Sequence, residues 1–527
     1  MRKPNIVLFI TDQHKADHLG AYGNPIVKTP NLDALAAKGW RADRFYVASP
    51  ICMPNRSSLM TGRMPSVHGA RHNGIPLDLN ATTFVELLAE NGYATSLIGK
   101  SHLQNMSGHG PHWPNASTPV TQGEARKQAP GNYDQEWGPF WQANPDYDLE
   151  TPFYGFDRVN LAVDHGDQVW GHYWRWLEKN HPEIAKTAGP EHALATPEYQ
   201  LSSFQQAWRT RVPEELSTNA YIGNKACEQI REYVSHDQPF FIMCSFPDPH
   251  HPFTPHGKYW DMYDPDKVDL PPSFHASSTR PATAPVQWLY DKRDTETAAK
   301  STPAAFACTE REAREAIALN YGSITHIDAI IGEVVAELTE QGIADNTIII
   351  FMSDHGDFLG DHQLLLKGPI HYQSLIRTPF IWYDPTMDMV QHHSQVLAST
   401  IDVAPTILDK LNITPYNGIQ GISLLDFMQK TDTPARDYLL IEEEGQRLIF
   451  NFDSRVRMRT LISDQYRLSL YEGSDEGELY DLKQDPMELY NRWNDPAFQQ
   501  TKTRLLEALI KTMIQNSETS PNPTALA

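Results

Sequence analysis

Four apolar segments of the sequence are each followed by acidic, imidazole, amide or amine groups, which are side chains that bind metal ions and transfer protons. Polar residues follow most buried strands because loops are polar. Loops rarely supply acidic, imidazole and amine groups after four separate strands, however. If the segments are neighbouring strands, their ends meet at one edge of a sheet, where a site forms. The groups are Asp12 and Gln13 after NIVLFIT, Lys100 and His102 after TSLIG, Asp248 and His250 after FIMCSF, and Asp354 and His355 after IIIFMS.

A candidate nucleophile is Cys52, in the segment SPICMPNRSSLMTG. Pro54 and Arg56 follow it, before a stretch rich in Ser and Thr. If a helix begins here, Arg56 lies one turn after Cys52 and on the same side of the helix. A cysteine, proline and arginine at this spacing are a weak signal alone, and they gain weight from the four strand ends.

The apolar runs also predict the fold. Residues 5–11, 239–246 and 346–353 are nearly continuous apolar segments, which are typical of strands buried on both faces of a parallel sheet. Residues 31–40 and 311–341 place apolar side chains at helical spacing. Strands that alternate with helices predict an α/β fold, with a large, mostly parallel sheet sandwiched by helices.

The chain divides into regions of different composition. We predict that residues 1–420 form the catalytic α/β domain and that residues 104–215 form a loop-rich insertion near its site. We predict that residues 421–527 form a smaller C-terminal α+β domain with an antiparallel sheet, a closing helix and a loose tail.

The aromatic side chains of the insertion leave two interpretations open, which are packing and contact with a substrate. Tryptophan stacks on sugar rings, but it also packs in protein cores. These side chains include His109, His112, His165 and His172, and Trp113, Trp137, Trp141, Trp170, Trp174 and Trp176.

Composition excludes some classes of function. The 527 residues carry a net charge of −22, which argues against a nucleic-acid-binding surface. No run of 18 apolar residues predicts a membrane span. Four cysteines in a chain of this length form no disulfide framework. We expect a cytoplasmic protein from the sequence as written, or a periplasmic one if a leader has been removed.

The segment CMPNR followed by SSLMTG is similar to the signature of type I sulfatases, a branch of the alkaline phosphatase superfamily. In that family a separate enzyme oxidises the cysteine to formylglycine. The sequence departs at Asn55, where Ser or Ala is usual. The resemblance runs from about residue 4 to 492 and is weakest in the insertion. Further matching segments are TPNLDALAAKG, GYATSLIGKSHL, FPDPHHPF, SDHGDFLGDHQLLLKG, STIDVAPTIL and ELYDLKQDPMELYN.

The resemblance implies an alkaline-phosphatase-like fold and hydrolysis of a sulfate monoester by a hydrated formylglycine at position 52. One hydroxyl of this gem-diol attacks sulfur, and the other later expels sulfate as the aldehyde forms again. It also implies one divalent metal ion, Ca²⁺ or Mn²⁺, held by Asp12, Gln13, residue 52, Asp354 and His355. The imidazole favours Mn²⁺, because Ca²⁺ prefers oxygen ligands. Gln13 and His355 resemble the set of choline-sulfatase-like and phosphonate-monoester-hydrolase-like members.

The remaining residues take catalytic roles in this resemblance. Arg56 binds the diol or the metal-binding carboxylates. Lys100 binds sulfuryl oxygens and His102 takes part in proton transfer, and the two share one face if their segment is extended. His250 and Lys367 are candidates for protonation of the leaving group and for sulfate binding, with His251 as the alternative acid.

Three hypotheses stay open at the level of sequence. The first is a sulfatase that acts on a carbohydrate or another small alcohol, which the Lys100 and His102 pair favours. The second is a phosphonate monoester hydrolase or phosphodiesterase on the same scaffold, which the metal set favours. The third is a non-catalytic sulfoglycan-binding relative with unmodified Cys52. The expected partners are a sulfate ester and a formylglycine-generating or sulfatase-maturating enzyme, and a homo-oligomer is left open.

Overall fold

The computed structural model describes residues 2–107, 124–293, 300–430, 436–445, 450, 452 and 455–525. His109, His112 and Trp113 lie outside these residues. In the described part of the chain, no helix combines the length and the apolar character needed to cross a membrane.

A large sheet forms the centre of the molecule. Its nine strands lie in the order β11-β2-β10-β8-β1-β6-β3-β4-β5. Strands β10 and β5 pair antiparallel with their neighbours and the other pairs are parallel. The strands are β1 (Asn5–Thr11), β2 (Trp40–Tyr46), β3 (Ala94–Gly99), β4 (Arg158–Val163), β5 (Trp170–Gly171), β6 (Phe240–Ser245), β8 (Thr347–Ser353), β10 (Phe380–Tyr383) and β11 (His393–Ser399).

Helices cover both faces of this sheet, as the apolar runs predict. Because successive side chains of a strand point to opposite faces, Val7 and Phe9 belong to one core cluster and Ile6 and Leu8 to the other. The first cluster includes side chains of α1 (Pro30–Lys38), α6 (His172–Asn180), α7 (Pro182–Ala185), α8 (Thr218–Ser235), α9 (Ser273–Ser277) and α11 (Glu310–Glu340). The second includes side chains of α2 (Cys52–Thr61), α4 (Phe84–Glu90), α5 (Gly138–Ala143), α13 (Val403–Lys410) and α14 (Leu425–Gln429).

A smaller antiparallel sheet follows near the C-terminus. Its four strands lie in chain order and are β12 (Tyr438–Glu444), β13 (Arg457–Ser463), β14 (Tyr466–Tyr471) and β15 (Gly477–Asp481). One face packs on α10 (Ala284–Arg293) and α12 (Gln373–Ile376), and the other on α3 (Pro65–His68) and α15 (Gln499–Gln515). A short pair is formed by β7 (Phe306–Ala307) and β9 (Leu364–Leu365).

These elements confirm the predicted fold class: a mostly parallel sheet between helices, followed by an antiparallel sheet. The runs at 5–11, 239–246 and 346–353 are strands, and 31–40 and 311–341 are helices within a few residues of the predicted bounds. The predicted domain boundary at residue 420 stays a prediction, because both faces of the small sheet are continuous with clusters that include catalytic-domain side chains.

Arg467 joins the small sheet to the catalytic domain. Its fully buried guanidinium donates to Glu478 at 2.7 Å and to Glu488, and it lies 4.6 Å from the ring centroid of Tyr480. Glu488 in turn accepts the backbone N–H of Gln373 at 2.7 Å, at the start of α12. Two buried carboxylates therefore depend on one arginine, at the junction between the two parts of the chain.

We predict that Arg467→Met destabilises the fold by about 3–5 kcal/mol, because it leaves the carboxylates of Glu478 and Glu488 buried without their cation. The free energy of unfolding in urea, followed by circular dichroism, measures the effect. Lys483→Met is the control, since Lys483 pairs with Asp464 at the surface and such pairs contribute about 0–1 kcal/mol. Equal effects of the two substitutions would contradict the importance of the buried arginine.

Candidate active site

The four predicted polar strand ends lie side by side, because β8, β1, β6 and β3 are neighbours in the sheet. Backbone hydrogen bonds continue past the strand ends. Asp12 N–H donates to the Asp248 carbonyl at 3.2 Å, and Lys100 N–H donates to the Ser245 carbonyl at 2.9 Å. The side chains that follow the strands are therefore held at fixed positions along one edge.

Cys52 reaches this edge from the first turn of α2. Its Sγ lies 3.1 Å from His355 Nε2, 3.1 Å from Lys367 Nζ and 3.8 Å from Asp12 Oδ1. Burial and Asp12 act to raise the pKa of the thiol, but Lys367, Lys100 and His355 hold it well below its ordinary value. The unmodified side chain is therefore a buried thiolate among cations and imidazoles.

Arg56 lies one turn after Cys52 and is also fully buried. Its Nε donates to Asp354 Oδ2 at 2.8 Å, and its terminal nitrogens lie 3.9 Å from Asp12 Oδ2 and 2.8 Å from Ser245 Oγ. The arginine also donates to the Lys100 carbonyl at 3.0 Å. It thus hydrogen-bonds to three of the four strand ends and forms a longer ion pair with the fourth, and it holds all of them relative to the helix that carries Cys52.

Asn55, the departure from the usual signature, has a clear structural role. Its Oδ1 accepts the N–H groups of Ala48 and Ser49 at 2.9 and 3.3 Å. Its Nδ2 donates to the Asp354 carbonyl and to Thr400 Oγ1, the latter at 3.2 Å. The side chain therefore ties the loop before α2 to the end of β8.

Asp12 is surrounded by basic groups. Lys100 Nζ donates to its Oδ2, which also lies 3.3 Å from His165 Nε2. Burial acts to raise the pKa of Asp12, but Lys100 and His250 hold it well below its ordinary value. His165 comes from the insertion, lies 2.7 Å from Lys100 Nζ, and stacks on the His250 ring with centroids 3.7 Å apart.

The residues predicted as metal ligands form a compact group. One ligand atom each of Asp12, Cys52, Asp354 and His355 lies within 4.8 Å of the others, and all four side chains are buried. Gln13 Oε1 is buried without a hydrogen-bond partner, so this amide oxygen is available to a cation. Two carboxylates, an imidazole and an unbonded amide oxygen are a donor set that a divalent cation satisfies.

Neighbouring groups orient two of these ligands. Gln13 Nε2 donates to Asp357 and lies 3.1 Å from His251 Nδ1, which leaves Oε1 as the unbonded atom of the amide. His355 Nδ1 lies 2.9 Å from the Gly356 carbonyl, so it carries the proton and leaves the lone pair on Nε2. A second interaction of this kind is typical of metal-binding histidines.

The charges of Asp354 and His355 are coupled. Burial and Asp12 raise the pKa of Asp354 above its ordinary value. Burial and Lys367 act to lower the pKa of His355, but Asp354 and Cys52 raise it. Asp354 and His355 therefore hold protons more firmly than the free side chains, whereas the basic groups around Asp12 and Cys52 favour the deprotonated forms of those two. A divalent cation bound here would displace protons from Asp354 and His355.

Lys100 and His102 do not lie on an extended segment, so that expectation is wrong. β3 ends at Gly99, and His102 has φ of 54°, in the left-handed region. Gly99 itself has φ of 106°, and a Cβ there would lie 1.9 Å from the Ser245 carbonyl oxygen. The chain therefore turns sharply between strand and loop. Burial and the neighbouring Lys100 lower the pKa of His102 to about 4.

Glu136 of the insertion holds this turn in place. Its carboxylate accepts the backbone N–H groups of His102, Leu103 and Gln104, the last two at 2.9 Å. Burial raises its pKa to about 7, although the three N–H groups oppose this shift. The role of Glu136 is not predicted from the sequence, because its partners are backbone atoms of a distant segment.

His250 and His251 both contribute to the site. β6 ends at Ser245, so strand alternation does not separate the two rings, which stack with centroids 4.2 Å apart. His250 Nε2 lies 2.9 Å from Lys367 Nζ, which is the amine in contact with Cys52. Burial and nearby basic groups lower the pKa of both imidazoles well below the ordinary value.

The structure thus brings together every residue that the sequence analysis places in the site, while their roles remain predictions. Of the insertion's described histidines, His165 reaches the site. His172 packs instead, since its nitrogens lie 2.9 Å from Leu161 N and 3.1 Å from Asp148. The sequence does carry a signal for His165, because it follows β4 by two residues and so resembles the polar ends of the other four strands.

The site opens into a cavity of about 1010 Å³. Among the insertion's described tryptophans, Trp137, Trp170 and Trp208 line the cavity, whereas Trp141, Trp174 and Trp176 pack in the hydrophobic clusters. Further walls come from the segment 301–305, from residues 367–369 and from the end of β12. The floor is formed by Cys52, His102, His165, His250, His251 and Lys367.

Comparisons with known proteins agree with this geometry. Residues 4–413 match the family model described as Sulfatase, and residues 360–515 match one described as N-sulphoglucosamine sulphohydrolase, C-terminal. An arylsulfatase of Clostridium perfringens is 29% identical over 97% of this chain and 94% of its own. A choline-sulfatase of Rhizobium meliloti is 24% identical over 94% of this chain and 83% of its own.

Among solved structures, a phosphonate monoester hydrolase of Agrobacterium radiobacter has the same fold. The TM-score is 0.76 at 24% identity, and the similarity covers 100% of this chain and 98% of the other. The family match spans most of the chain and includes each residue of the site described above. The chain therefore belongs to the sulfatase family of the alkaline phosphatase superfamily and is a sulfatase.

Proposed function

We propose that this sulfatase hydrolyses a sulfate monoester of a carbohydrate or another small alcohol, with formylglycine made from Cys52 and one divalent cation. The observation that carries the proposal is the position of Cys52. Its Sγ lies 3.1 Å from both Lys367 and His355, and its carrier helix also supplies Arg56 to Asp354. A nucleophile and an amine that can bind an anion thus line a cavity of about 1010 Å³, with the candidate metal ligands directly behind them.

Asp12, Gln13, Asp354 and His355 would hold the cation together with residue 52. When bound, the cation lowers the pKa of the hydrated side chain at position 52 and neutralises charge on the sulfuryl oxygens. The imidazole of His355 favours Mn²⁺, whereas the carboxylate and amide oxygens also suit Ca²⁺. Formylglycine, when hydrated, supplies an oxygen nucleophile and a second hydroxyl from which sulfate can leave.

Lys100 and Lys367 bind the sulfuryl oxygens in this proposal. Both amines are buried and lie on opposite sides of the metal-binding group, against Asp12 and against Cys52. Lys367 remains cationic, since burial lowers its pKa but Cys52 and Asp12 raise it above the ordinary value. Fixed cations in a buried site stabilise the charge that moves onto sulfate as the ester bond breaks.

His250 and His102 transfer protons on two sides of residue 52. His250 lines the cavity next to Lys367, and the Lys367 ammonium donates to its Nε2, so the two residues together are placed to supply a proton to the alcohol oxygen that leaves. His102 lines the same cavity and is placed to take the proton of the second hydroxyl. Arg56 orients the carboxylate of Asp354 and acts through it, without contact to the ester.

The relatives support a sulfate ester over the alternative, since one is named an arylsulfatase and another a choline-sulfatase. The alternative is a phosphonate monoester hydrolase or phosphodiesterase. It is supported by the fold shared with the phosphonate monoester hydrolase and by the Gln13 and His355 pair. The GKxH segment, with Lys100 and His102, favours the sulfatase.

We predict that protein produced with a formylglycine-generating enzyme hydrolyses p-nitrophenyl sulfate, and that Cys52→Ala abolishes this activity. Mass spectrometry of the tryptic peptide with residue 52 should show a loss of about 18 Da upon conversion of the thiol to the aldehyde. Cys227→Ala is the control, because Cys227 lies on α8. Unchanged hydrolysis in Cys52→Ala would end the proposed mechanism, and an unmodified thiol would favour the non-catalytic alternative.

The relative kcat/KM for sulfate, phosphodiester and phosphonate esters distinguishes the sulfatase from the alternative function. We expect the matured protein to have kcat/KM for p-nitrophenyl sulfate at least about tenfold above that for bis-p-nitrophenyl phosphate and for p-nitrophenyl phenylphosphonate, a difference of ~1.4 kcal/mol in transition-state free energy. The three esters share one leaving group, so the ratio reports the recognition of the reacting centre. A ratio below one would support the phosphodiesterase or phosphonate monoester hydrolase.

We predict that Gln13→Ala weakens binding of Mn²⁺ by about tenfold or more, since loss of one ligand removes at least ~1.4 kcal/mol. Titration calorimetry of the metal-free protein measures this affinity directly, and it needs no turnover. Gln395→Ala is the matched control, because Gln395 lies on β11 with its amide bonded to Asp43. An unchanged dissociation constant in Gln13→Ala would remove Gln13 from the metal-binding set.

A further inference from the structure

A fifth strand of the large sheet also ends at the active site. β4 pairs in parallel with β3, and His165 follows the last residue of β4 by two positions. The imidazole is 14% exposed and lines the cavity, as His102 and His250 do. The proposed reaction uses His102 and His250 but assigns no role to His165, so the function of this ring is still to be explained.

The backbone before His165 adopts an unusual conformation. Asp164 has φ of 87°, in the left-handed region, which residues with a side chain rarely adopt. Its Oδ1 accepts the backbone N–H of His165 at 3.0 Å and lies 3.3 Å from His165 Nδ1. Backbone strain of this kind persists where the surrounding structure fixes it, and it is concentrated at functional sites. The strained turn holds the imidazole at the sheet edge, with Nδ1 against Asp164.

Lys100 determines which nitrogen of His165 is the acceptor. The distance from Lys100 Nζ to His165 Nε2 is 2.7 Å, and an ammonium group can only donate hydrogen bonds. His165 Nε2 therefore accepts a hydrogen bond from Lys100, and the ring proton lies on Nδ1, where the Asp164 carboxylate accepts it. Asp164 thus favours the tautomer of His165 that can bind the lysine.

The ammonium group of Lys100 is held between two acceptors. It is fully buried and donates to Asp12 Oδ2 as well as to His165 Nε2, and these two acceptor atoms lie 3.3 Å apart. Two of its three N–H groups are thereby used, which leaves one for a sulfuryl oxygen in the proposed reaction. The lysine side chain is flexible, because four carbons link its amine to the backbone. A second acceptor therefore restricts the position of the charge.

The charge of Lys100 acts on residue 52 from this position. Burial and Asp12 act to raise the pKa of the Cys52 thiol, whereas Lys367 and Lys100 are the two groups that lower it most. Lys367 contacts Sγ directly at 3.1 Å, and Asp12, to which Lys100 donates, lies 3.8 Å from Sγ. The two amines therefore act on residue 52 from different elements, and His165 holds one of them.

His165 also belongs to a stack of three imidazoles. Its ring lies on that of His250 with centroids 3.7 Å apart and an angle of 16° between the planes, and His250 stacks on His251 at 4.2 Å. Stacking involves the ring faces, whereas the contact with Lys100 involves Nε2 in the ring plane. An aromatic ring without nitrogen would keep the stack and lose the acceptor, so substitution can separate the two contacts.

We infer that His165 is a positioning residue for sulfate binding, which accepts a hydrogen bond from Lys100 and so fixes the lysine charge beside residue 52. The inference rests on the proposed sulfate ester hydrolysis and deepens it, since it adds a residue to the group that recognises the sulfuryl oxygens. His165 acts through Lys100 and makes no bond to the ester. The sheet therefore contributes the end of a fifth strand, β4, to the recognition of sulfate.

The decisive variant is His165→Phe, which keeps a ring on His250 but removes the acceptor of Lys100. In matured protein loaded with Mn²⁺, we expect kcat/KM for p-nitrophenyl sulfate to fall by about tenfold or more. We expect His165→Gln, whose amide oxygen can replace Nε2 as the acceptor, to stay within about threefold of the parent protein. His192→Phe is the control and should leave the activity unchanged, because His192 belongs to the same insertion and its side chain is 48% exposed.

A double-substitution cycle with Lys100→Ala tests whether His165 acts through the lysine. If it does, Lys100→Ala has the same kcat/KM with and without His165→Phe, within about twofold, because the acceptor has no function once the amine is gone. Effects that multiply would show that His165 acts independently of Lys100 and would overturn the inference. Parental activity in His165→Phe, or a His165→Gln variant as slow as His165→Phe, overturns it as well.

Binding of inorganic sulfate, measured by titration calorimetry, tests the same contact without turnover. We expect His165→Phe and Lys100→Ala each to raise the dissociation constant by about tenfold or more. Matured parent protein that hydrolyses no aryl sulfate overturns the proposed function, whereas unchanged sulfate binding in His165→Phe, or none in the parent protein, overturns the role of His165. Thermal unfolding followed by circular dichroism establishes that each variant is folded. His165→Leu, which also lacks the acceptor, replaces His165→Phe if that variant does not fold.

Discussion

The burial of Asp12 and Asp354 side by side is the constraint on which this structure depends. Both side chains are fully buried, and neither charge is stable there alone. Arg56 and Lys100 supply the compensating charges from α2 and from the turn after β3, so helix, strand and loop are locked together. Lys367 adds a further positive charge beside Cys52, so this part of an acidic protein of net charge −22 is locally rich in cationic groups.

The same constraint explains the order of the sheet. Parallel strands bring their carboxyl ends to one edge, and β8, β1, β6 and β3 are adjacent. Backbone bonds from Asp12 to Asp248 and from Lys100 to Ser245 extend the sheet beyond its strands, so ligands follow directly from rigid elements. The walls of the cavity, by contrast, include segments of the insertion and of the small C-terminal sheet. Chemistry and specificity are therefore carried by separate parts of the chain.

This separation also explains how much the sequence predicts. The central strands and the residues from Asp12 to Lys367 follow from apolar runs with polar ends and from the signature around Cys52, since these features are local. Glu136 could not be predicted, because it reaches the site through an irregular segment and bonds to backbone atoms far away in sequence. His165 follows β4 by two residues, so its place is signalled by the same apolar run with a polar end as the other strands. The bend at His102 depends on close contact between Gly99 and the next strand, which no local pattern reveals.

Glu443 shows how the C-terminal sheet enters the active site. Glu443 and Glu444, at the end of β12, both line the cavity, whereas Glu442 bonds to Ser66. The buried Arg467 fixes the same sheet against α12, a few residues after Lys367 in the chain. A buried ion-pair network therefore joins the cavity wall formed by β12 to the segment that follows Lys367.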